Sequence, residues 1–260
     1  MNGKQVALVS GASRGIGAAT AGELGRLGYY VIVNYLRDAE SAELVAKQIG
    51  AAQAIQADVT DEAQVTTLVD RVVAEHGRID VLVANAHTAA PPFGPLEHVP
   101  WEAFAAKMSD ELAGVYHLTR RVLPVMRQRR SGRIVYVSAT AAELIIGSAA
   151  QSTAKAAVNA FAQQVAGEAI RDGITVNAVA PGAVGTDATA EVFTEGIRRH
   201  FRDRSVTGTM LRPQDLARPI AALVDGAFAT VTGQVIRVDG GYPLLSQLLD
   251  GLPAQFPTAS

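Results

Sequence analysis

A short apolar run that ends in three closely spaced glycines limits, more than any other feature of the sequence, which fold this chain can adopt. Residues 6–17 read V-A-L-V-S-G-A-S-R-G-I-G, with glycines at Gly11, Gly15 and Gly17, and a helical pattern begins at Ala18. Glycine in such a turn accepts positive φ angles and lets the backbone approach a ligand, while the free N–H groups of the next helix attract an anion. The spacing G-x-x-x-G-x-G is not the literal dinucleotide pattern G-x-G-x-x-G, but the same mechanics apply. We therefore predict a strand, a tight turn and a helix start that bind a phosphate group.

Strand-like and helix-like segments alternate along the rest of the chain. Buried strands are predicted at 30–33, 54–57, 79–83, 133–138, 174–179 and 234–239. Helices are predicted at 41–50, 61–76, 101–130, 151–171 and 212–224. This alternation predicts an α/β fold, a Rossmann-like doubly wound parallel sheet with right-handed crossovers and helices on both faces.

The domain organisation follows from the same alternation. We predict a single dinucleotide-binding and catalytic domain over residues 1–242 and a C-terminal tail over 243–260. The polar segment 183–208 shows no clear periodicity, so we predict an irregular structure there that could act as a mobile lid.

Composition excludes several classes of function. The 260 residues include 23 basic and 25 acidic side chains without a long block of one sign, which argues against a nucleic-acid or membrane surface. The absence of cysteine excludes disulfides, thiolate catalysis and cysteine metal sites, and we predict no metal site. No apolar run reaches the roughly 18 residues of a membrane span, and the first strand begins too early for a signal peptide. We therefore expect a cytoplasmic protein.

The residues that follow the second predicted strand bear on cofactor choice. A Rossmann-type chain meets the adenosine ribose here, and an acidic residue would bind its hydroxyls and repel a 2′-phosphate. This chain has Asn34 and Tyr35 at that point, with Arg37 just beyond and Arg14 inside the glycine turn. Since arginine pairs with phosphate, these residues favour NADP(H) over NAD(H). The alternative is that both arginines are only solvated surface.

The order of motifs resembles the short-chain dehydrogenase/reductase family, in particular its members similar to 3-oxoacyl-acyl-carrier-protein reductases. The resemblance covers the chain to about Tyr242 and rests on S-G-A-S-R-G-I-G at 10–17, D-V at 58–59, A-N-A-H at 84–87, V-N-A-V-A-P-G at 176–182 and T-G-Q-V-I-R-V-D-G-G at 232–241. It implies that Asp58 and Val59 hold the adenine and that Asn85 lies along the ribose. The full set of implied cofactor contacts is Gly11, Ser13, Arg14, Gly15, Ile16, Gly17, Asn34, Tyr35, Arg37, Asp58, Val59, Asn85, Ala86, Lys155, Pro181, Gly182 and Thr186.

The same resemblance shows that the catalytic positions have changed. The family uses a serine, a tyrosine, a lysine four residues after the tyrosine, and a supporting asparagine. Lys155 matches the lysine, but the tyrosine position is Gln151 and the asparagine position is Glu111. The serine position is Ala139, with Ser138 one residue before it. A glutamine can donate a hydrogen bond but cannot deliver a proton, so the general acid is lost.

Glu111 could replace part of the missing chemistry. In the family's geometry its carboxylate lies near Lys155, as a partly buried ion pair or as a base beside an acid. We therefore hypothesise a rebuilt proton-transfer site of Glu111 and Lys155, with His87 as a further member and with Gln151 and Ser138 as supporting groups. The alternative for the pair is mutual neutralisation. For His87 alone, a surface or packing role is the simpler interpretation.

Three functions remain compatible with these residues. The first is an NADP(H)-dependent oxidoreductase that acts on a carbonyl or hydroxyl of a small acyl- or polyketide-type substrate without the usual acid. The second is a non-redox isomerase, dehydratase or cyclase in which Glu111 and Lys155 act and the nucleotide is structural or unused. The third is a silent nucleotide-binding subunit of a hetero-oligomer. The resemblance also implies a homo-oligomer, a dimer or a tetramer formed through the helices at 101–130 and 151–171.

Overall fold

Strands and helices alternate as the sequence pattern predicts. The computed structural model describes residues 3–87, 92–143, 148–190, 193–242 and 244, so the predicted tail lies almost wholly outside the described residues. The strands are β1 Val6–Val9, β2 Tyr30–Tyr35, β3 Ala52–Gln56, β4 Val81–Ala84, β5 Gly132–Val137, β6 Ile174–Pro181 and β7 Val235–Val238. The helices are α1 Gly15–Arg26, α2 Ala39–Ile49, α3 Glu62–His76, α4 Trp101–Arg129, α5 Ala149–Ala169, α6 Asp187–Ala190, α7 Glu195–Asp203 and α8 Pro213–Val224.

The seven strands form one parallel sheet in the order β3-β2-β1-β4-β5-β6-β7. The chain runs outward from β1 to β3 on one side and from β4 to β7 on the other. This reversal creates a crevice beside the carboxyl ends of β1 and β4, which is where ligands bind in sheets of this kind. The predicted Rossmann-like α/β fold is confirmed.

Both faces of the sheet are covered by helices, because successive strand residues point to opposite faces. Leu8 belongs to an apolar cluster that the sheet forms with α3, α4 and α5, whereas its neighbour Val9 belongs to a second cluster with α1, α2 and α8. All four residues of β1 are buried. Among the described residues, no helix combines the length and the apolar character that crossing a membrane would require.

The polar segment at 183–208 is more regular than its sequence predicts. It contains α6 and α7, and the Thr194 side chain accepts a hydrogen bond from the backbone N–H of Ile197 at 3.3 Å, which caps α7. Phe201 on α7 packs against Tyr242, with 4.8 Å between the ring centres. The prediction of an irregular structure was wrong, because the cap and the aromatic contact stabilise a short helix whose two large apolar residues, Ile197 and Phe201, lie four residues apart.

The turn between β1 and α1 requires glycine at two points. Gly11 has a φ of +61°, and a Cβ there would lie 2.7 Å from the Cα of Ala86. A Cβ on Gly17 would lie 2.3 Å from the carbonyl oxygen of Gly11 and 2.5 Å from Nδ2 of Asn85. These backbone atoms cannot move without displacing the end of β4, so the turn and β4 form one rigid unit.

Alanine substitutions within α1 test this constraint. We expect Gly17→Ala to destabilise the protein and to weaken nucleotide binding, because the new methyl group displaces the Gly11 carbonyl or Asn85. Gly22→Ala is the matched control on the same helix, since nothing lies within 4 Å of its Cβ position. It should stabilise the protein by about 0.5–1 kcal/mol, the helix propensity difference between the two residues. Urea unfolding measures both variants, and equal effects would contradict the packing argument.

Candidate active site

The glycine turn is held against the end of β4 by a short polar network. The Ser10 hydroxyl accepts hydrogen bonds from the backbone N–H groups of Asn85 and Ala86, each at 3.0 Å. The Asn85 amide donates to the carbonyl oxygens of Ser10 at 3.0 Å and of Gly11 at 3.1 Å. Asn85 therefore fixes the turn from inside. The half-buried Ser13 and Ile16 lie in the same turn.

The residues predicted to recognise the adenosine end divide into two groups. Arg14 and Arg37 are exposed, at the start of α1 and just after β2. A backbone hydrogen bond from Ser41, with a smaller contribution from the charge of Arg14, lowers the pKa of Asp38, so Arg14 lies near this end of β2. Asn34 is buried, and its amide donates to the carbonyl oxygens of Ile55 and Ala57. Its side chain thus links the end of β2 to β3, and it places no carboxylate at the end of β2. The next residue, Tyr35, is half-buried.

Two further predicted contacts border the adenine side. The Asp58 carboxylate accepts hydrogen bonds from the Thr60 backbone N–H at 2.9 Å and from its hydroxyl at 2.7 Å, which closes the turn after β3. Val59 is buried, and one of its methyl groups lies 2.9 Å from where a Cβ on Gly114 would be. A side chain at position 114 of α4 would therefore displace Val59.

The segment after β6 reaches the glycine turn from the opposite side. Pro181 ends β6, and the backbone N–H of Gly182 bonds to the Val238 carbonyl oxygen at 3.0 Å. The methyl group of Thr186 lies 3.7 Å from the Cβ position of Gly15. The crevice between the two halves of the sheet is therefore bordered by the predicted phosphate turn and by the segment of Pro181, Gly182 and Thr186, which are also predicted cofactor contacts.

The structure brings Glu111 and Lys155 together, as the sequence predicts. The Glu111 side chain on α4 is 2% exposed, and its Oε2 lies 2.8 Å from Nζ of Lys155 on α5, which is 7% exposed. The Lys155 ammonium also donates to the Val137 carbonyl oxygen at 3.0 Å. The two residues form a buried ion pair at the end of β5.

Two more cationic or ionisable groups contact the same carboxylate. Nζ of Lys107 donates to Oε1 of Glu111 at 2.7 Å, with only 3% of the Lys107 side chain exposed. Nδ1 of His87 lies 3.0 Å from the same oxygen, but the His87 side chain is 48% exposed. Sequence reasoning missed Lys107, although its spacing of four residues from Glu111 on one helix was an available signal.

These contacts determine the ionisation of the cluster. Burial alone would raise the pKa of Glu111, but the hydrogen bonds from His87 and Lys107 and the charges of Lys155 and His87 outweigh it and hold that pKa well below its usual range. Burial lowers the pKa of Lys107, and its hydrogen bond to Glu111 offsets part of that effect. Glu111 is therefore a carboxylate at neutral pH that can only accept hydrogen bonds.

The other changed positions do not restore the missing acid. The Ser138 hydroxyl donates to the backbone carbonyl oxygen of Lys155 at 3.3 Å, so it joins β5 to α5. Ala139 is half-buried and carries no polar group. Gln151 lies one turn before Lys155 on α5, and its Oε1 is buried without a hydrogen-bond partner in the described part of the chain. Gln151 can orient a ligand through its amide, but it cannot supply a proton.

Removing the Glu111 charge tests the cluster. We expect Glu111→Gln to lower the free energy of unfolding at pH 7 by about 3–5 kcal/mol, because the buried ammonium groups of Lys107 and Lys155 then lose the buried carboxylate that both of them contact. Asp110→Asn is the matched control, since it makes the same change at an exposed neighbouring position and should cost less than about 0.5 kcal/mol. Urea unfolding measures both.

The pH dependence gives a second reading of the same variant. Because the folded-state pKa of Glu111 is lowered, its stabilisation is complete above the ordinary glutamate value of 4.5 and is lost as the pH falls below it. The stability difference between wild type and Glu111→Gln should therefore shrink progressively below pH 4.5. A difference that is independent of pH would contradict a buried ionised Glu111.

Comparison with known proteins agrees with this geometry. The sequence model of the family described as Enoyl-(Acyl carrier protein) reductase matches residues 11–243. A 3-oxoacyl-[acyl-carrier-protein] reductase of Synechocystis sp. is 39% identical over 243 residues, which cover 91% of this chain and 96% of that protein. The granaticin polyketide synthase putative ketoacyl reductase 2 of Streptomyces violaceoruber is 34% identical over 242 residues, covering 92% of this chain and 96% of that one.

A solved structure shows the same architecture. The gluconate 5-dehydrogenase of Burkholderia cenocepacia, determined in complex with NADP and tartrate, superposes with a TM-score of 0.85 and 28% identity over 92% of this chain and 95% of its own. The chain belongs to the short-chain dehydrogenase/reductase family of nicotinamide-dependent oxidoreductases and, within it, is similar to the 3-oxoacyl-acyl-carrier-protein reductases.

Proposed function

We propose that this protein is an NADP(H)-dependent oxidoreductase that interconverts a carbonyl and a hydroxyl group of a small acyl- or polyketide-type substrate, without the family's tyrosine and serine. The observation that carries the proposal is the buried Glu111–Lys155 pair at the carboxyl end of β5, in a parallel sheet whose first strand is followed by a rigid glycine turn. The Synechocystis and Streptomyces relatives, by their names, reduce ketoacyl groups, which supports this substrate class.

The residues at the start of α1 fit a dinucleotide phosphate. The N-cap residue Arg14 makes no side-chain cap, and the first turn of α1 has no acidic residue. The first N–H groups of a helix have no intrahelical partner, so those of Gly15, Ile16 and Gly17 suit an anion. The rigid turn formed by Gly11 and Asn85 keeps the backbone open beside them.

Cofactor preference is proposed from two exposed arginines, one in the glycine turn and one just after β2. Arg14 and Arg37 would pair with a 2′-phosphate, and Asn34 brings no carboxylate that would repel it. The neighbouring gluconate dehydrogenase was determined with NADP, which supports the same choice. A bound reduced nicotinamide would supply the hydride for carbonyl reduction.

The chain's own residues would orient and polarise the substrate. The Lys155 ammonium has three N–H groups, and among the described residues it contacts the Val137 carbonyl oxygen and the Glu111 carboxylate. Its third N–H could donate to a hydroxyl or carbonyl oxygen of a ligand. The Gln151 amide, on the same side of α5, can donate a second hydrogen bond. The family's tyrosine is one positioned general acid, worth a factor of about a hundred to ten thousand in rate, so its loss slows hydride transfer without abolishing it unless another group donates the proton.

Self-association is part of the proposal. The long helix α4 exposes two large aromatic side chains, Trp101 and Tyr116. Such side chains are enriched at protein interfaces. We infer a homodimer or homotetramer formed through α4 and α5.

The cofactor proposal is tested at the two arginines. We expect the double variant Arg14→Ala with Arg37→Ala to raise the Kd for NADPH by about tenfold or more while the Kd for NADH changes less than threefold, since only the 2′-phosphate contact is lost. Arg26→Ala is the control, because Arg26 is also on α1 but pairs with Glu23 at 2.6 Å. Calorimetric titration measures each Kd. No binding of NADPH at millimolar concentration would overturn the proposal.

Restoring the family's acid tests the reaction. We expect Ala139→Ser combined with Gln151→Tyr to raise the single-turnover rate of NADPH oxidation with a β-keto thioester by up to about a hundred- to ten-thousand-fold, and the gain is smaller the more another group of the site already donates the proton. The exposed change Ser109→Ala, on α4 two residues before Glu111, is the control and should leave the rate unchanged. NADPH binding without hydride transfer in the wild type, and no gain in the double variant, would favour a non-redox function of the same site.

A further inference from the structure

The position of His87 in the charge cluster has a consequence for proton transfer. His87 follows the carboxyl end of β4, directly after Asn85 and Ala86, which bond to the glycine turn. Its Nδ1 lies 3.0 Å from Oε1 of Glu111. Its side chain is 48% exposed, whereas that of Glu111 is 2% exposed. His87 thus connects the buried carboxylate to solvent at the edge of the crevice.

The other members of the cluster are poorly suited to donate a proton. Glu111 has no proton to give at neutral pH, because its pKa is held well below the usual range despite burial, by His87, Lys155 and Lys107. Lys155 directs its ammonium to the Val137 carbonyl oxygen and to Glu111. Lys107 is buried and hydrogen-bonded to Glu111. An imidazole can both donate and accept a proton, as a general acid–base must.

The contact with Glu111 also orients the imidazole ring. A carboxylate beside Nδ1 favours a hydrogen on that nitrogen, as in the carboxylate–histidine pairs of hydrolases, and this leaves Nε2 as the nitrogen that exchanges a proton. Nδ1 and Nε2 lie on different sides of the ring, so Nε2 is directed away from Glu111. The arrangement is a Glu111–His87 dyad after the carboxyl end of β4, which borders the crevice.

We infer that His87 is the general acid–base of this site and replaces the missing tyrosine. In reduction, the N–H bond at Nε2 of the imidazolium would break, its electron pair would stay on the ring, and an O–H bond would form at the substrate oxygen, with the hydride for carbon being what a bound reduced nicotinamide would supply. The neutral ring then takes a proton from water at its exposed side. Oxidation of a hydroxyl runs in reverse. The inference rests on the proposed oxidoreductase function and identifies the residue that completes it.

Alanine substitution with chemical rescue tests this role. We expect His87→Ala to lower the single-turnover rate of NADPH oxidation with a β-keto thioester by about a hundred- to ten-thousand-fold, with the Kd for NADPH within twofold of wild type. Added imidazole should raise the rate of the His87→Ala variant at least tenfold, which would not happen if His87 had a purely structural role. His98→Ala is the control, since His98 is an exposed histidine farther along the same connection, and it should be unaffected. An unchanged rate in His87→Ala, or a loss that imidazole does not restore, overturns the inference.

A spectroscopic measurement tests the dyad without any turnover. In ¹⁵N-labelled protein, we expect neutral His87 to be the tautomer with hydrogen on Nδ1, and to become a mixture of tautomers in Glu111→Gln. An Nε2–H tautomer in the wild type overturns the dyad. A wild type that shows the Nδ1–H tautomer and binds NADPH but transfers no hydride would instead overturn the oxidoreductase proposal while leaving the Glu111–His87 dyad as a proton-transfer pair.

Discussion

The buried carboxylate of Glu111 is the interaction on which the candidate site depends. It lies between Lys107 and Lys155, two buried ammonium groups that repel each other, and it contacts both of them. A buried ion pair is costly to break, because the remaining partner has lost its hydration. Glu111 therefore joins α4 to α5 at the end of β5 and fixes the Lys155 ammonium. The same charge orients His87, so one carboxylate determines the geometry of the whole cluster.

The nucleotide turn and the reaction site are built from different residues. Gly11, Gly17 and Asn85 form a rigid turn through close backbone contacts, and none of them touches the ammonium groups. The crevice at the switch point of the sheet places both sets side by side. Because the two are physically separate, the turn can stay intact while the catalytic positions change. Family membership follows from the fold and the turn, whereas the chemistry must be argued from Glu111, Lys155 and their neighbours.

Much of the fold could be predicted from the sequence, because apolar runs and helical periodicity alternate strongly. The segment at 183–208 was the exception, since α7 is stabilised by the Thr194 cap and an aromatic contact that its own periodicity does not reveal. The hydrogen-bond partners of the Asn34 side chain also could not be predicted from the sequence. Its amide bonds to β3, a partner fixed only by the pairing of strands that are distant in sequence.

The glycine turn and the parallel α/β sheet could be predicted from the sequence alone, because each depends on a local pattern of residues. The altered positions Glu111, Ala139 and Gln151 could be identified in the same way, from their spacing to matched residues. That Lys107 and His87 share the Glu111 carboxylate, and that Ser138 bonds to the α5 backbone, is visible only in the folded protein. Burial and charge neutralisation depend on which side chains α4, α5 and β4 bring within about 3 Å of one another, and this depends on the packing of elements that are distant in sequence. No local spacing fixes the distance between His87 and Glu111, which meet only when the sheet is assembled.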